Sequence, residues 1–216
     1  DGGTVTLYAI CSAKDNKISN CEITLPQEVA YNGEERKPSV VIRDALSLLE
    51  EGTDYELSCK NNVDFGVASV TITGKGKYQG NVARTFYIIA ECGDGSAPVT
   101  CKLDENGLLT IRGEGAMRNY EILDNRPPWD TIKIKGIRIE RGVTRIGNYA
   151  FSGYYCNQVN SVHIADSVTS IGRGAFSGCG YLSSIAIPES VTNIAALAFS
   201  SDYALKTVEI PSKVTM

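Results

Sequence analysis

Seven cysteines and a single histidine are the residues of this chain with the most chemistry to offer: Cys11, Cys21, Cys59, Cys92, Cys101, Cys156, Cys179 and His163. A zinc site groups thiolates and imidazoles a few residues apart, typically as C-x-x-C. No such pair occurs, so neither a metal nor any other cofactor is implied. A Cys–His nucleophile pair needs the imidazole turned toward a thiol, but His163 takes the outward position of the alternating run Val162-His163-Ile164. There is no G-x-S-x-G elbow to present a reactive serine. The glycine-rich stretch "GKGKYQG" at 74–80 lies between two strand-like runs with no helix after it. It therefore reads as a hairpin turn, not a phosphate cradle. Acidic residues are scattered over turns without convergent spacing. The expectation is a chain that is not an enzyme.

The thiols are then structural. Either they form disulfides, which implies an oxidising compartment, or they are buried and act as small hydrophobes. Cys92 and Cys101 stand on either side of Gly-Asp-Gly-Ser-Ala-Pro and are the stronger candidates for a bridge. Cys21 shares the phase of Ile23 and Leu25, and Cys59 that of Tyr55 and Leu57, so both point inward. They form either a Cys21–Cys59 bridge, worth about 4 kcal/mol in the loop-entropy view, or two buried thiols.

The elements that must position these residues are mainly strands. The 216 residues include 21 glycines and 7 prolines, and short alternating runs between Gly, Asn and Asp turns outnumber helix-period segments. Net charge is −4; residues 1–90 carry 9 basic and 12 acidic side chains, and residues 91–216 carry 12 and 13. Neither half is basic, which speaks against a nucleic-acid partner. No apolar run is long enough for a bilayer-spanning helix.

The C-terminal part repeats itself. Val143, Val168, Val191 and Val214 stand 25, 23 and 23 residues apart. Ile146, Ile171 and Ile194 follow in register, then Ala150-Phe151, Ala175-Phe176 and Ala198-Phe199. Val162-x-Ile164, Ile185-x-Ile187 and Val208-x-Ile210 read as the strand of each repeat. The longer first repeat places its extra residues at Tyr154-Tyr155. A fixed period near 23 with recurring apolar columns means a stacked solenoid, because one such turn cannot shield its own apolar residues and a copy stacked on it can. Cys156 and Cys179 share one column and read as a buried thiol ladder. Asp202 takes their place in the third repeat, so it must be paired or near solvent. Residues 101–130 read as a cap, with Trp129 as lid to the first apolar layer.

The phrases "VTRIGNYAF", "VTSIGRGAF" and "VTNIAALAF", with "VHI", "IAIP" and "VEIP", resemble the BspA-type leucine-rich repeat family of bacterial surface proteins. "CGDGSAPVTCKLDENGLLTIRGEGAM" resembles the segment that commonly precedes such repeats. In the first half, "YNGEERKPSV" and "EEGTDYELSCKNNVDFGVASVTITGKGKYQGNVARTFYI" resemble bacterial Ig-like modules, and "GTVTLYAIC" resembles the terminal strand of a β-grasp surface repeat. The expected architecture is mainly β: an Ig-like β-sandwich, then a right-handed leucine-rich repeat solenoid with an N-terminal β cap. The boundaries are 1–19 for a leading segment, 20–90 for the sandwich, 91–134 for linker and cap, and 135–216 for about three repeats. The absent leader and the interrupted last repeat read as a fragment of a longer protein.

Outward strand positions Arg138, Ser161, His163, Ser184, Thr207 and Glu209 form one small or polar strip. Tyr154, Tyr155, Tyr181 and Tyr203 gather at the turn after each Ala-Phe and offer large contacts with a polar tip. The resemblance implies an extracellular, surface-held or secreted module that binds a host matrix protein, another surface protein or a glycan. The alternative is a passive stalk, or an accessory part of a larger surface enzyme.

Overall fold

The computed structural model describes residues 16–45 and 47–214. Along them run β1 (Glu22–Thr24), β2 (Glu28–Ala30), β3 (Val41–Arg43), β4 (Tyr55–Lys60), β5 (Gly66–Gly74), β6 (Asn81–Glu91) and β7 (Val99–Leu103). Then come β8 (Leu108–Gly113), β9 (Gly115–Ala116), β10 (Gly136–Ile139), β11 (Val143–Ile146), α1 (Gly153–Cys156), β12 (Ser161–Ile164), β13 (Ser170–Ile171) and β14 (Asn193–Ile194). The fold is mainly β with little helix. Cys11 and the "GTVTLYAIC" stretch lie outside the described residues. Two compact units emerge: one holds Glu35–Val63, Ala68–Phe86 and the described residues up to Val29, the other Ala30–Glu34, Asp64–Val67 and the described residues from Tyr87 onward.

In the first unit β1 pairs antiparallel with β3, and β4 with β5. Period-two alternation shows in β4, where Tyr55 is buried, Leu57 and Cys59 are half-buried, and Glu56, Ser58 and Lys60 are exposed. Ile18, Ile42, Leu49, Tyr55, Ile72 and Tyr78 form its core. The glycine-rich stretch is the turn between β5 and β6, closed by the Gly74 N–H to the Gly80 carbonyl at 2.9 Å. Tyr78 in this turn is buried and donates its hydroxyl to Asp44. Burial first, and then Asp44, hold that phenol protonated far above the usual tyrosine range. Cys59 is a free thiol near Lys37, Glu35 and Glu51, whereas the Cys21 thiol turns to the Lys17 carbonyl at 4.0 Å. The expected Cys21–Cys59 bridge is therefore not formed: the two side chains sit in different surroundings.

In the second unit β7 and β8 form an antiparallel hairpin, and β8, β10 and β12 continue as parallel neighbours. Leu109, Ile137 and Val162 stand in register, as do Ile111, Ile139 and Ile164. A second parallel ladder joins β9, β11, β13 and β14. The runs Ile185-x-Ile187 and Val208-x-Ile210 form no strand, contrary to the repeat pattern, so the successive turns do not close into an unbroken coil. Both runs lead into proline, at Pro188 and Pro211, which has no N–H to offer a ladder at that position. The run that does form a strand, Val162–Ile164, leads into Ala165 instead. Leu182 and Ile185 are nevertheless buried.

The apolar columns stack. Trp129, Phe151, Phe176 and Phe199 lie ring over ring, with centroids 5.7, 5.5 and 5.6 Å apart and interplanar angles of 18°, 26° and 1°. Tyr120 meets Trp129 edge-on at 5.6 Å, and the indole N–H donates to the Ala150 carbonyl at 3.0 Å. Trp129 thus begins the column, as a lid must. Polar staples join successive repeats at their margins. The Ser167 hydroxyl donates to the Val143 carbonyl at 2.8 Å, and Ser190 to that of Val168 at 2.7 Å. Thr169 donates to the Thr144 carbonyl at 3.1 Å. Asp202 is buried and paired: its Oδ1 accepts the Cys179 N–H at 2.7 Å. Burial raises its carboxyl above the ordinary aspartate range. The Cys179 thiol donates to the Phe151 carbonyl at 3.1 Å and is pushed up to about 12 by burial and by Asp202. Cys156, also buried and raised by desolvation, is likewise a free thiol.

Candidate binding surface

The parallel ladder decides which side chains face out. Because Ile137, Ile139 and Ile164 turn inward, Arg138, Ser161 and His163 turn outward and are exposed. The register sets Thr110, Arg138 and His163 side by side on three adjacent strands. Ser184, Thr207 and Glu209 are exposed too, but they stand on segments that form no strand, so they do not extend the ladder.

An open hollow of about 640 Å³ lies on this face, lined by Arg138 to Arg141, His163 to Asp166, and Pro188. Arg141 and Asp166 pair across adjacent repeats at 2.7 Å. Both are well exposed, so the pair contributes little to stability and remains available to a ligand. The sequence reading did not single out Arg141 or Asp166. Their signal was present in their separation of 25, the same step that separates Val143 from Val168. The hollow therefore offers guanidinium donors, carboxylate acceptors and an imidazole on a shallow, solvated floor. That inventory can make polar and charged contacts. Among the described residues no group of histidine, cysteine, aspartate and glutamate side chains could hold a metal ion, and no helix is long and apolar enough to cross a membrane.

The tyrosines divide. Tyr154, Tyr181 and Tyr203 are exposed to 62%, 69% and 90%. Tyr155 is buried, and its hydroxyl donates to the Glu121 and Ile122 carbonyls at 2.7 and 3.1 Å. Its expected place at the binding edge is thus corrected. The Ser152 side chain accepts the Tyr154 N–H and starts the single turn of α1, and successive residues on a helical turn point about 100° apart. Tyr154 consequently faces solvent while Tyr155 pins the 121–122 backbone. Leu123, exposed to 73%, adds an apolar contact on that same loop.

Residues 129–216 match the family model described as the BspA type leucine rich repeat region, in six copies. No curated protein matches the chain. Among solved structures, a leucine-rich repeat protein from Eubacterium ventriosum is 27% identical, with a TM-score of 0.45 over 59% of this chain and 39% of its own. A leucine rich cell surface protein from Faecalibacterium prausnitzii is 25% identical, with a TM-score of 0.39 over 58% of this chain and 36% of its own. A leucine-rich repeat protein from Bacteroides capillosus is 21% identical, with a TM-score of 0.37 over 51% of this chain and 91% of its own. The chain thus spans less than half the length of the first two. From Trp129 onward, where the aromatic column begins, the sequence is thus similar to the leucine-rich repeat region of the BspA type.

Proposed function

We propose that this chain is a non-catalytic, extracellular binding module of a bacterial surface or secreted protein. In this reading residues 20–90 form an Ig-like spacer, residues 91–134 a linker and cap, and residues 135–216 a right-handed leucine-rich repeat solenoid. The repeats present the strip through Arg138, Ser161 and His163, with the edge of Tyr154, Tyr181 and Tyr203, to a host matrix protein, another surface protein or a glycan. The observation that carries the reading is the register of Arg138 with His163 over the hollow that Arg141 and Asp166 share. Charged and aromatic groups on a broad shallow face are the usual carriers of binding energy in protein recognition, and the match to the BspA-type repeat model supports the same class.

The test is immobilisation of the 216-residue chain against a panel of matrix proteins and a glycan array. Saturable binding to one member is expected, weakened about tenfold or more by Arg138→Glu or Tyr181→Ala, a loss of roughly 1.4 kcal/mol or more each. Absence of saturable binding to both panels overturns the reading and leaves a stalk.

A further inference from the structure

Two thiols that play no part in the binding face are brought together by the fold. Strands β6 and β7 pair antiparallel with Ala90 opposite Cys101. The ladder continues where the Cys92 N–H donates to the Val99 carbonyl at 2.8 Å. Side chains alternate with period two along each strand, so these four residues share one face. All four are buried, Cys92 and Cys101 to 0% exposure. Cys92 and Cys101 are diagonal neighbours on that face, and the Cys101 thiol donates to the Ala90 carbonyl at 3.2 Å. The turn between them is held from outside the pair. Asp94 accepts the Ser96 N–H at 3.0 Å, and Arg145 reaches Asp94 at 3.3 Å. Both are free thiols in this structure, so the expected Cys92–Cys101 bridge is not formed here and noncovalent contacts alone close this loop.

We propose that Cys92 and Cys101 are a disulfide-forming pair that closes while the chain folds in the presence of a small-molecule disulfide. The exchange is balanced. Each thiol gives up its proton, one sulfur–sulfur bond forms between Cys92 and Cys101, and the two electrons cleave the bond of the small disulfide. That oxidant leaves as two thiols carrying both protons. Timing follows from burial. Once the core has formed, no reagent reaches either sulfur, and the Cys92 thiol is held protonated by its contact with Cys101 and by desolvation. Since the thiolate is the attacking species, the native dithiol exchanges slowly, and closure belongs to the folding chain. Cys156 and Cys179 remain thiols, because they lie in successive parallel repeats, where side chains stand side by side in a geometry poor for bridging.

The test refolds the reduced, unfolded 216-residue chain by dilution into reduced and oxidised glutathione. The product is then unfolded in iodoacetamide and digested without reduction. The expected product is a species lighter by two hydrogens in which Cys92 is linked to Cys101, while Cys156 and Cys179 are alkylated. Reduction should then lower the thermal midpoint reported by Trp129 fluorescence by about 5–10 °C, the size expected for a loop this short. Cys101→Ser, which retains a hydroxyl donor for Ala90, should show no such dependence. Alkylation of both Cys92 and Cys101, or a link from either to another cysteine, overturns the proposal. Peptide mapping of the unmodified sequence decides this even if the variant does not fold. Rapid closure on adding oxidised glutathione to the native dithiol would overturn the timing.

Discussion

Phe176 lies fully buried between Phe151 and Phe199, with rings 5.5 and 5.6 Å away. Phe199 is only half-buried. A side chain stacked on both faces loses more on truncation than one covered on a single face, because the cavity it leaves is enclosed. Phe176→Ala is expected to cost about 3–5 kcal/mol, and Phe199→Ala about 1–2 kcal/mol. Urea midpoints of the two variants give the comparison, and equal losses would mean that the column does not act as a stack. These phenylalanines were legible in the sequence because each recurs in a fixed place beside an alanine, and nothing but a shared apolar column requires that. Tyr155 was not legible in the same way. A tyrosine pair inserted into one repeat reads as a loop, and only the Ser152-capped turn of α1 sends one ring inward and leaves the other outside.

At the scale of the element, the repeat is held as much by close backbone approach as by apolar columns. A Cβ added to Gly147 would lie 1.8 Å from the Arg118 carbonyl oxygen, which belongs to backbone and cannot swing aside. At Gly180 it would meet nothing within 4 Å. Gly147→Ala should therefore destabilise by about 2 kcal/mol or more through overpacking, while Gly180→Ala should be neutral or slightly stabilising through the unfolded chain. Thermal melts of both variants separate the two cases, and similar midpoints would show that the turns do not depend on this approach. Gly147 and Gly172 follow Ile146 and Ile171 in the repeat phrases, with Ala195 in the third copy; the reason for Gly147, the carbonyl of the preceding turn, was not legible, because a sequence does not say which backbone lies opposite. The same holds for Ser167 and Ser190, whose hydroxyls staple each repeat to the one before. Ile185-x-Ile187 and Val208-x-Ile210 alternate as strands do and yet form none, because alternation reports which side chains turn inward and not whether the backbone finds ladder partners.

At the scale of the whole molecule, the two units differ in how much apolar surface each encloses. Among the described residues the core cluster of the first gathers 6 buried side chains around Ile42 and Tyr78, with Ala68, Val70 and Phe86 buried outside it, and that of the second gathers 31, many of them around the aromatic column. Stability rises with the apolar area removed from water, so the first unit should yield at lower denaturant. The chain contains one tryptophan, Trp129, which is fully buried between Tyr120 and Phe151 and so reports on the second unit alone. Far-UV circular dichroism sees the strands of both. In urea, the dichroic signal should begin to fall while the tryptophan emission is still native, and the two traces should meet only when the column melts. Two curves that superimpose from start to finish would mean that the units unfold as one body and that the larger core carries the smaller with it.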